Sequence, residues 1–251
     1  MKYVVYLGVC LTSVSAFAQE EAVQDMSDPL AVYTQVGIGA TDKGLNLKVG
    51  QTYETGRDDT AAMNIIEVKG FLGEKVGWQD GNDDSVDSLR FRNFHVNLTS
   101  GRGTQLDVNY DIASESGSAS YSLIQALPQM GPVTVYPLVG LGASFINAAN
   151  SEGEKLFGYA LPGTFAVVGT YGKVAMSDKL WLNYNPMWFT TLSGSDSYVD
   201  FGLEGDSNVL KHEVALSYQF TPRFNARYFA NWSQNEDFKD GGHRLEFNYQ
   251  L

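Results

Sequence analysis

The sequence predicts an all-β fold, a closed antiparallel transmembrane β-barrel of about 12 strands, and three observations carry that expectation. Apolar and polar residues alternate with a period of two over most of the chain, the pattern of strands with two unlike faces. The connections tend to alternate between tight turns and longer acidic loops, which puts short turns on one rim and long loops on the other. One face of most runs carries almost no charge, as a lipid-facing surface requires.

Composition points the same way. The 251 residues include 26 Gly, 14 Tyr, 14 Phe and 4 Trp. Each Gly costs a helix about 1 kcal/mol relative to Ala, so this glycine content suits short strands and turns. A formal charge of -12 repels phosphate backbones and argues against nucleic acid as a partner. One cysteine cannot build a disulfide framework.

Residues 1–18 read as a signal peptide. Met1 and Lys2 give a positive start, residues 3–15 are mostly apolar, and Ala16-Phe17-Ala18 has the small-x-small form that precedes cleavage. The apolar run falls short of the roughly 20 residues a membrane anchor needs. Cys10 lies inside that run after Val9, a poor setting for lipidation. Cleavage after Ala18 removes Cys10, so the exported chain has no thiol to misoxidise. Residues 19–30 form a polar N-terminal segment, and residues 31–251 form the barrel.

Twelve strands are expected, at 31–40, 44–55, 61–77, 88–99, 104–114, 119–127, 133–146, 156–176, 179–192, 207–220, 224–233 and 243–251. The alternation is clearest in Leu106, Val108, Tyr110 and Ile112, in Leu210 through Phe220, and in Leu245, Phe247, Tyr249 and Leu251. Two stretches, 133–145 and 156–171, approach the length of a membrane helix. They contain Pro137, Gly140 and Gly142, and Gly158, Pro162, Gly163 and Gly169, a density of breakers that favours strands. Tight turns fall at 100–103, 128–132, 176–179 and 221–223, and long loops at 80–87, 147–155, 193–208 and 233–242. Residues 41–43 and 115–118 are short where the alternation asks for a long loop. A soluble sandwich would also alternate, but strands of about ten residues match a tilted membrane crossing. Trp78, Trp188, Trp232, Phe220, Tyr218, Phe224 and Tyr249 lie toward strand ends, where membrane barrels carry aromatic girdles.

A cleavable leader, about twelve alternating strands and a last strand with Phe247 and Tyr249 resemble the β-barrels of Gram-negative outer membranes. The resemblance implies an outer-membrane location, contact with membrane lipid and lipopolysaccharide, and a last strand read by the barrel-assembly machinery. That strand usually ends in Phe in the superfamily, whereas this chain ends in Leu251. In size and strand count the chain is similar to small monomeric oligosaccharide porins, such as those for oligogalacturonate or sialic acid.

If the apolar parity faces lipid, the other parity lines the lumen. The second to fifth strands then contribute Lys48, Glu67, Lys69, Arg90, Arg92, His95, Asp107 and Asp111. Placing His95 beside Arg90 and Arg92 requires a bulge near Asn93. The last three strands add Lys211, Glu213, Arg227, Arg244 and Glu246, and closure of the last strand on the first joins these charges into one arc. The remaining wall presents Gly140, Gly142, Ser144, Gly158, Ala160, Thr164 and Ala166. Such small residues leave room for a folded-in loop, the N-terminal segment, water or a solute. Mixed charges can order water and weakly bind a hydrophilic solute. They can equally pair across strands and hold the barrel shut, at roughly 0.2 to 1 kcal/mol per pair.

Asp80, Asp83, Asp84 and Asp87, and Glu236, Asp237 and Asp240, could in principle bind a divalent cation. The first run lacks the spacing of a calcium-binding EF-hand loop, so both read as solvated acidic loops, and no metal or cofactor is expected. Apart from the leader, His95, His212 and His243 are the available imidazoles, and no Gly-x-Ser-x-Gly, His-Glu-x-x-His or phosphate-cradling loop is present. The sequence therefore favours a passive channel for small hydrophilic solutes over a structural or surface-binding barrel acting through acidic loops, and over a membrane enzyme.

Overall fold

The computed structural model describes residues 23–147, 154–156 and 158–251. The expected leader and its cleavage point lie outside the described residues, as do part of the polar N-terminal segment and most of the 147–155 loop.

The chain forms β1 (Gln35–Thr41), β2 (Gly44–Tyr53), β3 (Thr60–Phe71), α1 (Gly73–Val76), β4 (Ser88–Asn97), β5 (Arg102–Asp111), β6 (Ser116–Gln125) and β7 (Val133–Asn147). There follow β8 (Glu154–Leu156), β9 (Tyr159–Ala175), β10 (Leu180–Tyr184), β11 (Met187–Gly194), α2 (Asp196–Phe201), β12 (Asn208–Thr221), β13 (Phe224–Ser233) and β14 (Gly242–Gln250). All pairings are antiparallel, and β1 pairs with β14 from Gln35 opposite Gln250 to Thr41 opposite Arg244. The sheet is thus a closed barrel. β10 and β11 are two halves of one stave between β9 and β12, and β8 is a short extension on β9, which leaves twelve staves.

Strand ends depart from the sequence reading where backbone chemistry intervenes. The third strand was expected to run to residue 77 but stops at Phe71. Gly70 at φ +80° and Leu72 at φ +57° turn the chain into α1. The ninth expected strand is interrupted between Tyr184 and Met187, where Pro186 lacks the N–H that a ladder needs. A bulge offsets Gly70, so Leu45 faces Phe71 while Asn46 faces Lys69.

The two faces follow the pleat. Val36, Ile38, Leu47, Val49, Ile66, Leu123, Val139, Leu141, Val168, Leu216, Leu245 and Phe247 are exposed on the outside, a belt suited to acyl chains. Tyr218, Phe220, Phe224 and Phe247 pack ring on ring near the mouth where the strands begin. His212 stacks between Tyr184 and Trp232 at centroid distances of 6.0 and 5.0 Å toward the opposite rim. Every backbone polar group in hydrocarbon must be satisfied within the protein, and the unbroken circuit of pairing does this.

An Arg at Leu141, midway along β7 on the outer face, should cost about 2–4 kcal/mol. At Leu192, near the outer rim of β11, it should cost less than about 1 kcal/mol. Urea unfolding of the protein in lipid measures both, and equal costs would contradict a membrane-embedded belt.

Candidate functional site in the lumen

The inward parity builds two charged walls. On the first, β3 supplies Glu67, whose carboxylate pairs with Arg92 on β4 and, at 3.2 Å, with Lys69. Next to them Arg90 Nε donates to Asp107 Oδ1 at 2.9 Å and its terminal nitrogen pairs with Oδ2, a bidentate fork that fixes both side chains. Gln105 and Asn109 also donate to Asp107, and Tyr171 reaches from β9 to donate to Gln105 Oε1 at 3.1 Å.

On the second wall, Lys48 of β2 meets Glu246 of β14 at 2.7 Å, and Arg244 pairs with the same carboxylate at 3.3 Å. These residues stand on strands that flank β1, and β1 lets them meet because its inward positions include Gly37 and Gly39. A Cβ on Gly37 would stand 3.0 Å from Lys48 Cε and 2.6 Å from Asn248 Oδ1. Arg227 donates to Ser217 and, at 2.9 Å, to Asn183, while Arg227 and Arg244 both lie over the Phe229 ring. Glu213 accepts from Asn185 at 2.8 Å.

Twelve of the thirteen residues singled out from sequence therefore fall on these inward rows or at the outer end of them. Lys211 is at the outer rim and pairs with Glu204 at 2.5 Å. Asp111 is exposed at the opposite side of that rim, where it caps its own turn through Ser114. His95 is a correction. β4 pairs with β3 and β5 in continuous register through Asn93, so the required bulge is absent and Phe94 and Val96 face inward in its place. His95 points the other way, with Leu89 and Phe91.

The small-residue wall is also partly corrected. Gly140, Gly142 and Ser144 alternate with exposed Val139 and Leu141, but a register shift between Ser144 and Ile146 flips the partner strand. Gly163, Phe165 and Val167 are buried there, whereas Thr164 and Ala166 take the outward parity. Gly158 lies ahead of β9 at φ +86°. The space opposite Gly142 is filled by Phe165.

Part of the lumen belongs to residues that periodicity did not single out. Met26, Leu30 and Tyr33, from the segment before β1, are buried. Leu30 packs with Val96, Ile124, Tyr136, Leu138 and Val167. Lys173 donates to Asp25 at 3.1 Å. Burial raises the Asp25 carboxyl, but hydrogen bonds from Ser27 and the Lys173 charge outweigh it and hold the group below its ordinary range. Above this segment lies a cavity of about 470 Å³ that reaches both charged walls and extends to Glu204 and Glu236 at the loops.

His212 and His243 face outward, where each accepts or donates through Nδ1 to a tyrosine, Tyr184 and Tyr228, at 2.8 Å. Asp83 caps Ser85, and Asp84 pairs with Lys75 at 2.8 Å.

No protein-family model and no curated protein matches the chain. Among solved structures it is similar to the NanC porin, with a TM-score of 0.53 and 6% identity over 87% of this chain and all of that one. A membrane protein solved in work on in-meso crystallization aligns at a TM-score of 0.50 and 10% identity, over 87% of this chain and 84% of that one. The KdgM porin in complex with disordered oligogalacturonate aligns at 0.49 and 9% identity, over 88% and 99%. At such identities the likeness is one of fold: the chain shares the closed antiparallel β-barrel architecture of the NanC porin.

Glu246→Gln should destabilise the folded barrel by about 3 kcal/mol, because Lys48 and Arg244 then lose their shared partner. Gly37→Val should act in the same direction by wedging Lys48 from Glu246. A double-mutant cycle in urea should show a combined cost well below the sum, and additive costs would contradict a contact made across β1.

Proposed function

We propose that this barrel is an outer-membrane channel for passive diffusion of small hydrophilic solutes. The observation that carries the reading is the cavity of about 470 Å³ between two charged walls, reaching from the long-loop rim into the barrel. A twelve-stave barrel is wider than the eight-stave kind that side chains fill, so a polar lumen of this kind has room for water and a narrow solute. The exposed apolar belt meets lipid, and on this reading the long-loop rim meets lipopolysaccharide.

Lys48, Lys69, Arg90, Arg92, Arg227 and Arg244 outnumber Glu67, Asp107, Glu213 and Glu246 along the inward rows, but most are paired. The pairs hold side chains against the wall and leave alternating charge along the passage, which orders water without trapping one ion. A solute is thus recognised by its hydroxyl and charged groups together. Catalysis is outside this reading: the three described histidines stand on the outward parity of their strands, and His212 and His243 are engaged by Tyr184 and Tyr228.

The folded protein in a planar bilayer should give discrete conductance steps. Glu67→Gln should move the reversal potential under a salt gradient toward anions, since it unmasks Arg92 and Lys69. Silence from protein whose folding is verified by heat-modifiable migration would overturn the channel, and an unchanged reversal potential would remove these residues from the passage.

A further inference from the structure

We propose that residues 23–31 are a detachable stopper, which closes the strand-start mouth of the barrel in the conformation seen here and leaves it to open the passage. The proposal rests on the channel reading above.

Position comes first. The segment crosses the lumen: Met26 Sδ accepts from Gln219 and Asn225 on β12 and β13, and Leu30 packs against Val96 and Ile124 on the opposing staves β4 and β6. The cavity that begins at Glu204 and Glu236 ends on Met26, Ser27 and Asp28. Among the described residues the cavity therefore reaches the long loops at one end and meets this segment at the other.

Attachment comes second. The segment folds on itself in two turns, Asp28 N to Asp25 O and Ala31 N to Asp28 O, both at 3.0 Å, and Leu30 N is capped by Asp28 Oδ1 at 2.9 Å. These bonds travel with it. The ladder that closes the barrel starts later, at Gln35, so departure of residues 23–31 breaks no strand pairing. The wall contacts that would be given up include apolar packing, thioether hydrogen bonds, the Asp25–Lys173 pair and a hydrogen bond between Asp28 and Tyr136 of β7.

The surface beneath supplies the third observation. Gln35, Asn225, Asn248 and Gln250 form a buried band of amides at this mouth, linked in part by Asn248 Nδ2 donating to Asn225 Oδ1 at 3.1 Å. Asn248 Oδ1 and both polar atoms of Gln250 have no hydrogen-bond partner among the described residues. Amides are poor residues to bury unpaired and good residues to line a wet passage. Water entering as the stopper leaves would satisfy them, which offsets the loss of packing and brings the two states closer in free energy.

The test compares unitary conductance of the full chain with a chain lacking residues 23–31 and with a Met26→Asp, Leu30→Asp double variant, each checked for heat-modifiable migration. Both variants should conduct about twofold or more above the full chain and lose its closures. Equal conductance in all three overturns the stopper and leaves the channel standing. Silence in all three, with folding verified, overturns both. Failure of the double variant to fold, with every strand residue intact, would make the segment a fixed part of the barrel and overturn the proposal as well.

Discussion

Closure of β1 onto β14 is the constraint on which the rest of the structure depends. In hydrocarbon an open sheet edge would leave a row of unpaired N–H and C=O groups, so the first and last strands must meet in register. That seam brings charged strands from both ends of the sequence to either side of β1. Gly37 and Gly39 then decide what the seam can do, because strands with side chains at those positions would keep Lys48 and Arg244 from sharing Glu246. A covalent detail of two residues thus links the closing of the barrel to the charge pattern of its lumen.

The same geometry explains why the interior tolerates so many ionised groups. An isolated charge in a dry interior is costly, and a pair broken on one side is costlier than one replaced by apolar residues. Here Glu67 serves Arg92 and Lys69, Glu246 serves Lys48 and Arg244, and Asp107 takes the fork of Arg90 with amide donors around it. The charges are held by neighbours yet border an open volume, so they can shape a passage without collapsing it. The staves β6, β7 and β9 solve the opposite problem: Leu138, Phe165 and Val167 thicken a wall with few charges.

Much of this was legible in the sequence because the strand period is local. All twelve staves lie where alternation placed them, and most ends agree within a few residues. What escaped depends on pairing between strands. A bulge shifts every side chain beyond it to the other face, and among the described residues the shifts lie at Gly70, opposite Ser144, near Thr191 and near Gln219, whereas the reading of His95 required one at Asn93. Thr164 and Ala166 were misassigned for the same reason. Residues 19–30 were read as polar because Met26 and Leu30 recur with no period, and their burial comes from the lumen that encloses them. The alternating glycines of β1 were a visible signal, since Gly at every second position on one face announces close approach by neighbours.

Passage of solute through the charged lumen is the central claim, and liposome swelling tests it most directly. Vesicles carrying the folded protein, diluted into isosmotic solutions of small neutral and charged sugars, should swell faster than protein-free vesicles for the smaller solutes and lose that advantage as solute size grows. Swelling no faster than protein-free vesicles for every solute would contradict the account.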